Sequence, residues 1–177
     1  MASFGEVLKG RGTDLGHFGS GSENLTSTKL KYLDAVLSET LRCYPVAART
    51  SRECDTAYKL GDTGITLFKE QLIEIPVYAI HHTEEYYPNH EKFIPERFLP
   101  ENRDQLVPYT FLPFGSGPRN CIGMRFALME AKLGLAQVVK RFKFVKSANT
   151  SVPLKYKAGF HLMQPKKVMV AIEIRQI

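Results

Sequence analysis

The residues best placed to do chemistry lie in Phe114-Gly-Ser-Gly-Pro-Arg119-Asn-Cys121-Ile-Gly123, where two glycines and a proline deliver a cysteine to the start of an apolar helical pattern. Unpaired backbone N–H groups and the dipole at a helix N-terminus favour a thiolate over a thiol, and Arg119 adds positive charge two residues upstream. An anionic Cys121 has three uses: nucleophile, zinc ligand, or axial ligand to haem iron. Zinc needs partner ligands, and no second cysteine stands at C-x-x-C spacing; a nucleophile needs a histidine base, whose position sequence does not fix. Gly115 and Gly117 let the backbone pass close to something flat, and Gly123 does the same for the first helical turn, which suits a macrocycle better than a compact ion.

Two other groupings invite a chemical reading. Glu39 and Arg42 are three residues apart in a helical pattern, so the carboxylate can grip the guanidinium; in isolation such a pair reads as a solvated surface contact. His81, His82 and His90 stand near Glu84 and Glu85, yet none of their spacings matches a helix-borne zinc motif. Cys43, Cys54 and Cys121 are too few and too far apart for a disulfide framework, which points to a reducing compartment.

The elements that must position these residues follow from periodicity and from Gly and Pro. Residues 1–28 contain Gly5, Gly10, Gly12, Gly16, Gly19 and Gly21 among polar residues and read as a flexible lead-in. Leu30, Leu33, Val36, Leu37 and Leu41 then recur at helical spacing up to Pro45, which predicts an amphipathic helix over about 28–43. Strands are expected at Ile65–Phe68 and Gln71–Ile75, forming a small antiparallel sheet around the Gly61/Asp62/Gly64 turn. Residues 82–118, with Pro88, Pro95, Pro100, Pro108, Pro113 and Pro118, form a long loop. A second helix over about 122–140 carries the stripe Phe126, Met129, Leu133, Ala136 and Val139. Alternation between Val152 and Ile174, with Val168, Val170 and Ile172 on one face, predicts a C-terminal β-hairpin. The fold class is α+β.

Composition sets the outer limits. The 177 residues, 44% of them hydrophobic, suffice for one domain with a sizeable core. Apolar runs such as Ile75–Ile80 fall far short of the ~20 residues that span a bilayer. The N-terminus has neither the basic start nor the apolar run of a secretory signal, so export is not expected. The net charge of +6 includes Lys140, Arg141, Lys143 and Lys146 after the second helix and Lys166 with Lys167 beyond it. No aromatic residues interleave with these cations as a base-stacking platform requires, so they read as a solvated basic face and no nucleic-acid partner is expected.

With these residues in view, Phe114-x-x-Gly117-x-Arg119-x-Cys121-x-Gly123 resembles the haem-binding signature of the cytochrome P450 family. A chance match at five fixed positions is on the order of one in 10,000 or rarer for average residue usage. Glu39-Thr-Leu-Arg42 and Pro95-Glu96-Arg97-Phe98 stand in the same order and spacing as two further motifs of that family. The likeness covers about residues 29–177 and is nearest to the microsomal clan that includes drug-metabolising and thromboxane-synthase-like members.

The resemblance implies the C-terminal part of that fold: a Glu-x-x-Arg helix, a small sheet, a long meander loop, the cysteine-ligand loop with its helix, and a terminal hairpin. It implies haem b as cofactor with Cys121 on the iron and Phe114, Gly115, Gly117 and Gly123 against the macrocycle. Arg52 and Arg119 are its propionate partners, and Glu39, Arg42 and Arg97 a buried cluster that pins the cysteine loop. Val46, Ala47 and Thr50, in the turn after the first helix, would face the substrate. A similar histidine stands at the place of His81, whereas His82 and Thr83 depart from the usual Arg-Asp.

The activity implied is insertion of oxygen from O2 into an apolar small molecule, with electrons from an NADPH-dependent flavoprotein reductase docked on the basic proximal face. The implied location is the cytosolic face of the endoplasmic reticulum membrane, through an anchor expected outside this sequence. Relatives are much longer, and the distal-helix motif Ala-Gly-x-Asp/Glu-Thr does not occur here, so no catalytic residue beyond the haem ligand is expected in the chain. The alternative expectation is a truncated, non-catalytic form that binds haem weakly or a reductase.

Overall fold

The structure, a computed structural model, describes residues 31–157 and 162–175. Helix α1 spans Lys31–Cys43, with Asp34 in its first turn and Arg42 in its last, the charge order that the helix dipole favours. Ala35, Val36, Leu37, Glu39, Arg42 and Cys43 are all buried, so α1 is enclosed on more than the one stripe expected of it. The start near 28 lies outside the described residues, as does Leu30.

Four short strands follow: β1 (Thr50–Glu53), β2 (Tyr58–Lys59), β3 (Thr66–Leu67) and β4 (Leu72–Ile75). The expected strands exist in β3 and β4, but they do not pair with each other. β4 runs antiparallel to β1, with Thr50 opposite Ile75 and Arg52 opposite Ile73, while β3 pairs with β2. The sequence of β1, Thr-Ser-Arg-Glu, has no apolar alternation; its extended form is set by the partner strand.

Helix α2 (Val77–His81) leads into the proline-rich region, which is organised into tight 3-10 turns at Pro95–Phe98 and Pro100–Gln105 and a third at Gly117–Arg119. Proline opens the first two of these turns, where its missing N–H costs nothing. The region is tied down by the core: Ala35 of α1 with Tyr87 and Phe98, flanked by Tyr86, Leu99, Leu106 and Phe111.

Helix α3 spans Met124–Arg141, beginning two residues later than its apolar pattern suggests, because Gly123 occupies the cap and Ile122 is fully exposed. Its stripe divides. Ala136 and Val139 are buried, whereas Phe126, Met129 and Leu133 remain 64%, 46% and 42% exposed.

The end of the chain pairs differently from the expected local hairpin. Strand β6 (Ala171–Ile174) pairs antiparallel with β5 (Phe142–Val145), which follows α3 directly. Ile172 lies in that strand; Val168 and Val170 precede it and are exposed. Within the tail the described pairing is a single bridge between Tyr156 and Pro165, so the hairpin partner lies about 28 residues upstream, too far for local alternation to announce.

Candidate functional site

Glu39 and Arg42 sit one turn apart on α1 with no exposed side-chain surface. Arg42 Nε donates to Glu39 Oε2 and Nη2 to Oε1, both at 2.8 Å, giving a bidentate pair. The remaining donors reach outward: Nη1 to the His81 carbonyl at 2.9 Å, and Nη2 to the His90 and Lys92 carbonyls at 2.9 and 3.2 Å. Glu39 Oε1 also accepts the Ile94 amide at 2.9 Å. Burial opposes the charge on Arg42, but the bonded carboxylate more than offsets it, and its pKa is raised. A charge pair out of water is stable only when its other valences are satisfied, and here the proline-rich loop satisfies them.

Arg97 completes the cluster from the 3-10 turn. Its Nε lies 3.7 Å from Glu39 Oε1, an ion pair rather than a hydrogen bond, while Nη2 donates to the carbonyls of Pro88 and Asn89. Burial pulls its pKa down, against the pull of Glu39.

Two further members complete this assembly: His81, whose family counterpart the sequence indicates but whose place in the cluster it does not, and Tyr87. His81 is fully buried; its Nδ1 lies 3.2 Å from the Arg42 carbonyl, and its Nε2 accepts the Leu112 amide at 2.8 Å. One nitrogen faces an acceptor and the other a donor, which fixes a neutral ring with the proton on Nδ1. Burial pushes its pKa down to about 4. The ring therefore has no lone pair left for a metal, and it links α1 to the approach to the cysteine loop. Tyr87, also fully buried, lies beneath Arg42 at 5.3 Å and shares a 3.2 Å hydrogen bond with Thr110. An aromatic pair in a proline-rich stretch carried the only hint, since the partners come from distant positions.

The cysteine loop differs from this cluster in character. The Cys121 amide donates to the Phe114 carbonyl at 2.9 Å, closing the loop on itself, and Met124 donates back to the Cys121 carbonyl at 3.3 Å. Gly115 and Gly117 have φ of +74° and +76°, the left-handed region that L side chains rarely occupy, so these two turns require glycine. Cys121 is exposed, and a Cβ on Gly123 would sit 4.0 Å from its Sγ.

Arg52, on β1, reaches across to donate from Nη2 to the Arg119 carbonyl at 3.2 Å, tying β1 to the backbone two residues before Cys121. Among the described residues, the Arg119 side chain has no ion-pair partner. Thr50 Oγ1 accepts from Arg52 Nη1 at 3.1 Å. Val46 is 54% exposed, and the tail crosses this turn: Met163 donates to the Val46 carbonyl at 2.8 Å, and Ala47 bridges Leu162.

A family model described as "Cytochrome P450" matches residues 21–172. The chain belongs to the cytochrome P450 family. It is 52% identical over 135 residues to cytochrome P450 9e2 of Blattella germanica, covering 75% of this chain and 25% of that protein. Over 150 residues it is 44% identical to cytochrome P450 3A7 of Homo sapiens, covering 85% and 29%. Over 146 residues it is 45% identical to cytochrome P450 3A9 of Rattus norvegicus, covering 82% and 28%. The chain thus spans between a quarter and three-tenths of the length of these curated relatives.

Membership in the cytochrome P450 family carries haem-dependent monooxygenase chemistry at the level of the family. The residues present fit a haem. Cys121 offers a soft, exposed sulfur donor, the glycines leave its loop without bulk, and Arg52 and Arg119 add two cationic residues beside it. Among the described residues, no helix is long and apolar enough to cross a membrane.

Proposed function

We propose that this chain supplies the cysteine-ligand side of a haem-thiolate monooxygenase, with Cys121 as axial ligand to the iron of haem b. The reading is carried by one observation: an exposed cysteine in a glycine-shaped loop, joined through Arg119 to Arg52. In this reading Phe114, Gly115, Gly117 and Gly123 lie against the macrocycle, and Arg52 and Arg119 hold its propionates as fixed cations. Residues 29–177 are the haem-binding part, and residues 1–28 a lead-in outside it.

When bound, haem supplies activation of O2, with a thiolate ligand favouring O–O cleavage. The chain's own residues do the holding. The Phe114–Cys121 backbone bond sets the cysteine's orientation, and the cluster of Glu39, Arg42, Arg97 and His81 holds the segments that lead to it. Val46, Ala47 and Thr50 line the substrate side, suiting an apolar small molecule. Exposed Lys140 and Arg141 at the end of α3, with Lys146 just after β5, suit an acidic surface on a flavoprotein reductase, whereas Lys143 is paired with Glu173 at 3.0 Å. The endoplasmic reticulum membrane is the proposed location, from the likeness to microsomal relatives.

A second reading, haem or reductase binding without substrate oxidation by these 177 residues alone, is favoured by the exposure of Cys121, Ile122 and Phe126. No described residue closes over that face, and oxygen chemistry requires water to be excluded. Adding haem to the chain and reducing it under carbon monoxide tests both readings. The expected result is the red-shifted Soret band of thiolate ligation, absent in Cys121→Ala. No band in the unsubstituted chain overturns the haem reading. A band without substrate turnover in the presence of a reductase supports the second.

A further inference from the structure

The Glu39–Arg42 cluster fixes the long loop but does not by itself fix α3, the helix that follows Cys121. Between α1, the cysteine loop and α3 lies a cleft of about 210 Å³, whose lining includes Ser38, Leu41, Phe114, Gly115, Met124 and Leu128. Side chains in contact fix the spacing of two helices, and here the contact is interrupted where the loop turns toward Cys121. Asp34 lies on the rim of that cleft. Its Oδ1 pairs with Lys132 Nζ on α3, and its Oδ2 with Arg103 Nη2 on the proline-rich loop at 3.3 Å. One carboxylate thus joins three elements where packing leaves a gap. The two pairs differ in exposure: Lys132 is 24% exposed and Arg103 58%, so water weakens the Arg103 pair more.

We propose that Asp34 is a positioning residue for the cysteine loop, acting through Lys132 to hold α3, and with it Cys121, at a fixed distance from α1. The inference rests on the haem-ligand reading of Cys121, because a held cysteine matters functionally only if it must meet iron. Asp34 touches neither the cysteine nor the haem. Its effect travels along α3, whose first turn lines the cleft at Met124 and whose next turns carry Leu128 and Lys132. Asp34→Asn removes the charge and keeps the shape; Asp34→Glu keeps the charge; Lys132→Gln removes the partner on α3; Arg103→Gln removes the partner on the loop.

Amide hydrogen exchange of the full chain without haem reads the holding directly. Asp34→Asn and Lys132→Gln are expected to speed exchange of the peptide covering Cys121–Leu128 by about fivefold, with that covering Leu37–Cys43 unchanged. Asp34→Glu should restore most of the protection, and Arg103→Gln should leave Cys121–Leu128 near its original rate. After haem addition and reduction under carbon monoxide, the first two variants should show a smaller fraction of the thiolate-ligated band. Exchange that is unchanged in Asp34→Asn, or that rises equally across the chain, overturns the positioning role. A thiolate band absent even from the unsubstituted chain overturns the haem reading and leaves the exchange result to stand on its own.

Discussion

The Glu39–Arg42 cluster and the Cys121 loop are both built around polar side chains, yet they have opposite environments. Glu39 and Arg42 expose nothing, and carbonyls from His81, His90 and Lys92 with the Ile94 amide complete their bonding. Cys121 is exposed in a loop held mainly by its own backbone hydrogen bonds, with one more from Arg52 Nη2 to the Arg119 carbonyl. A buried charge pair must be finished by its own chain, because water cannot reach it. A ligand-binding side chain must instead be left unfinished, so that the partner supplies the last contact. The contrast separates residues that hold the fold from residues offered to a ligand.

The largest effect expected from breaking the contrast is at its buried end. Glu39→Gln leaves Arg42 charged and without its counterion, and a loss of about 3–5 kcal/mol is expected. Urea unfolding would measure it, and a midpoint like that of the unsubstituted chain would contradict the account. Smaller, and tunable without mutation, is the dependence on pH. The His81 pKa falls to about 4 in the folded chain, below its ordinary 6.5, so below pH 6.5 the unfolded chain takes up a proton that the folded chain refuses. Stability from this group is complete above pH 6.5 and is lost toward pH 4, by about 3 kcal/mol in all. His81→Asn should flatten that acid limb in a pH series of thermal midpoints.

On the alkaline side, Cys43 acts in the opposite direction. Burial pushes its pKa up to about 11, so above pH 9 the unfolded chain releases a proton that the folded chain keeps, and stability declines as pH rises from there. The same burial orders the three thiols by access. An alkylating reagent followed by peptide mass analysis should modify exposed Cys121 first, half-buried Cys54 next, and buried Cys43 only on unfolding. Early modification of Cys43 would mean that the cluster opens readily.

The smallest stability effect belongs to Cys121→Ala, within about 0.5 kcal/mol, because the site is exposed and its backbone bonds survive. That same substitution should remove the thiolate-ligated band altogether. A large loss of stability would place Cys121 among the residues that hold the fold and erase the distinction.

Much of the arrangement was legible in the residues themselves. The period of α1 and α3, the stop at Pro45, and the glycines at 115 and 117 are local consequences of backbone geometry, which a sequence states directly. The spacing of Glu39 and Arg42 on one helical face is equally local. The strand partners were not legible: β4 joins β1, and β6 joins β5 across a gap filled by the tail. Pairing depends on which edges meet, and Thr50–Glu53 has no pattern of its own to declare that it is an edge.

Sequence alone therefore determined the helices, the glycine turns and the residue types offered at Cys121 and Arg119, since each depends on neighbours a few positions away. The local pattern left Glu39 and Arg42 as a solvated pair and only the family resemblance implied their burial, which the tertiary structure supplies; tertiary structure also decided that His81 is a neutral cross-link and that Arg52 meets Arg119. Those outcomes turn on desolvation and on partners 31 to 67 residues away, which no local pattern encodes.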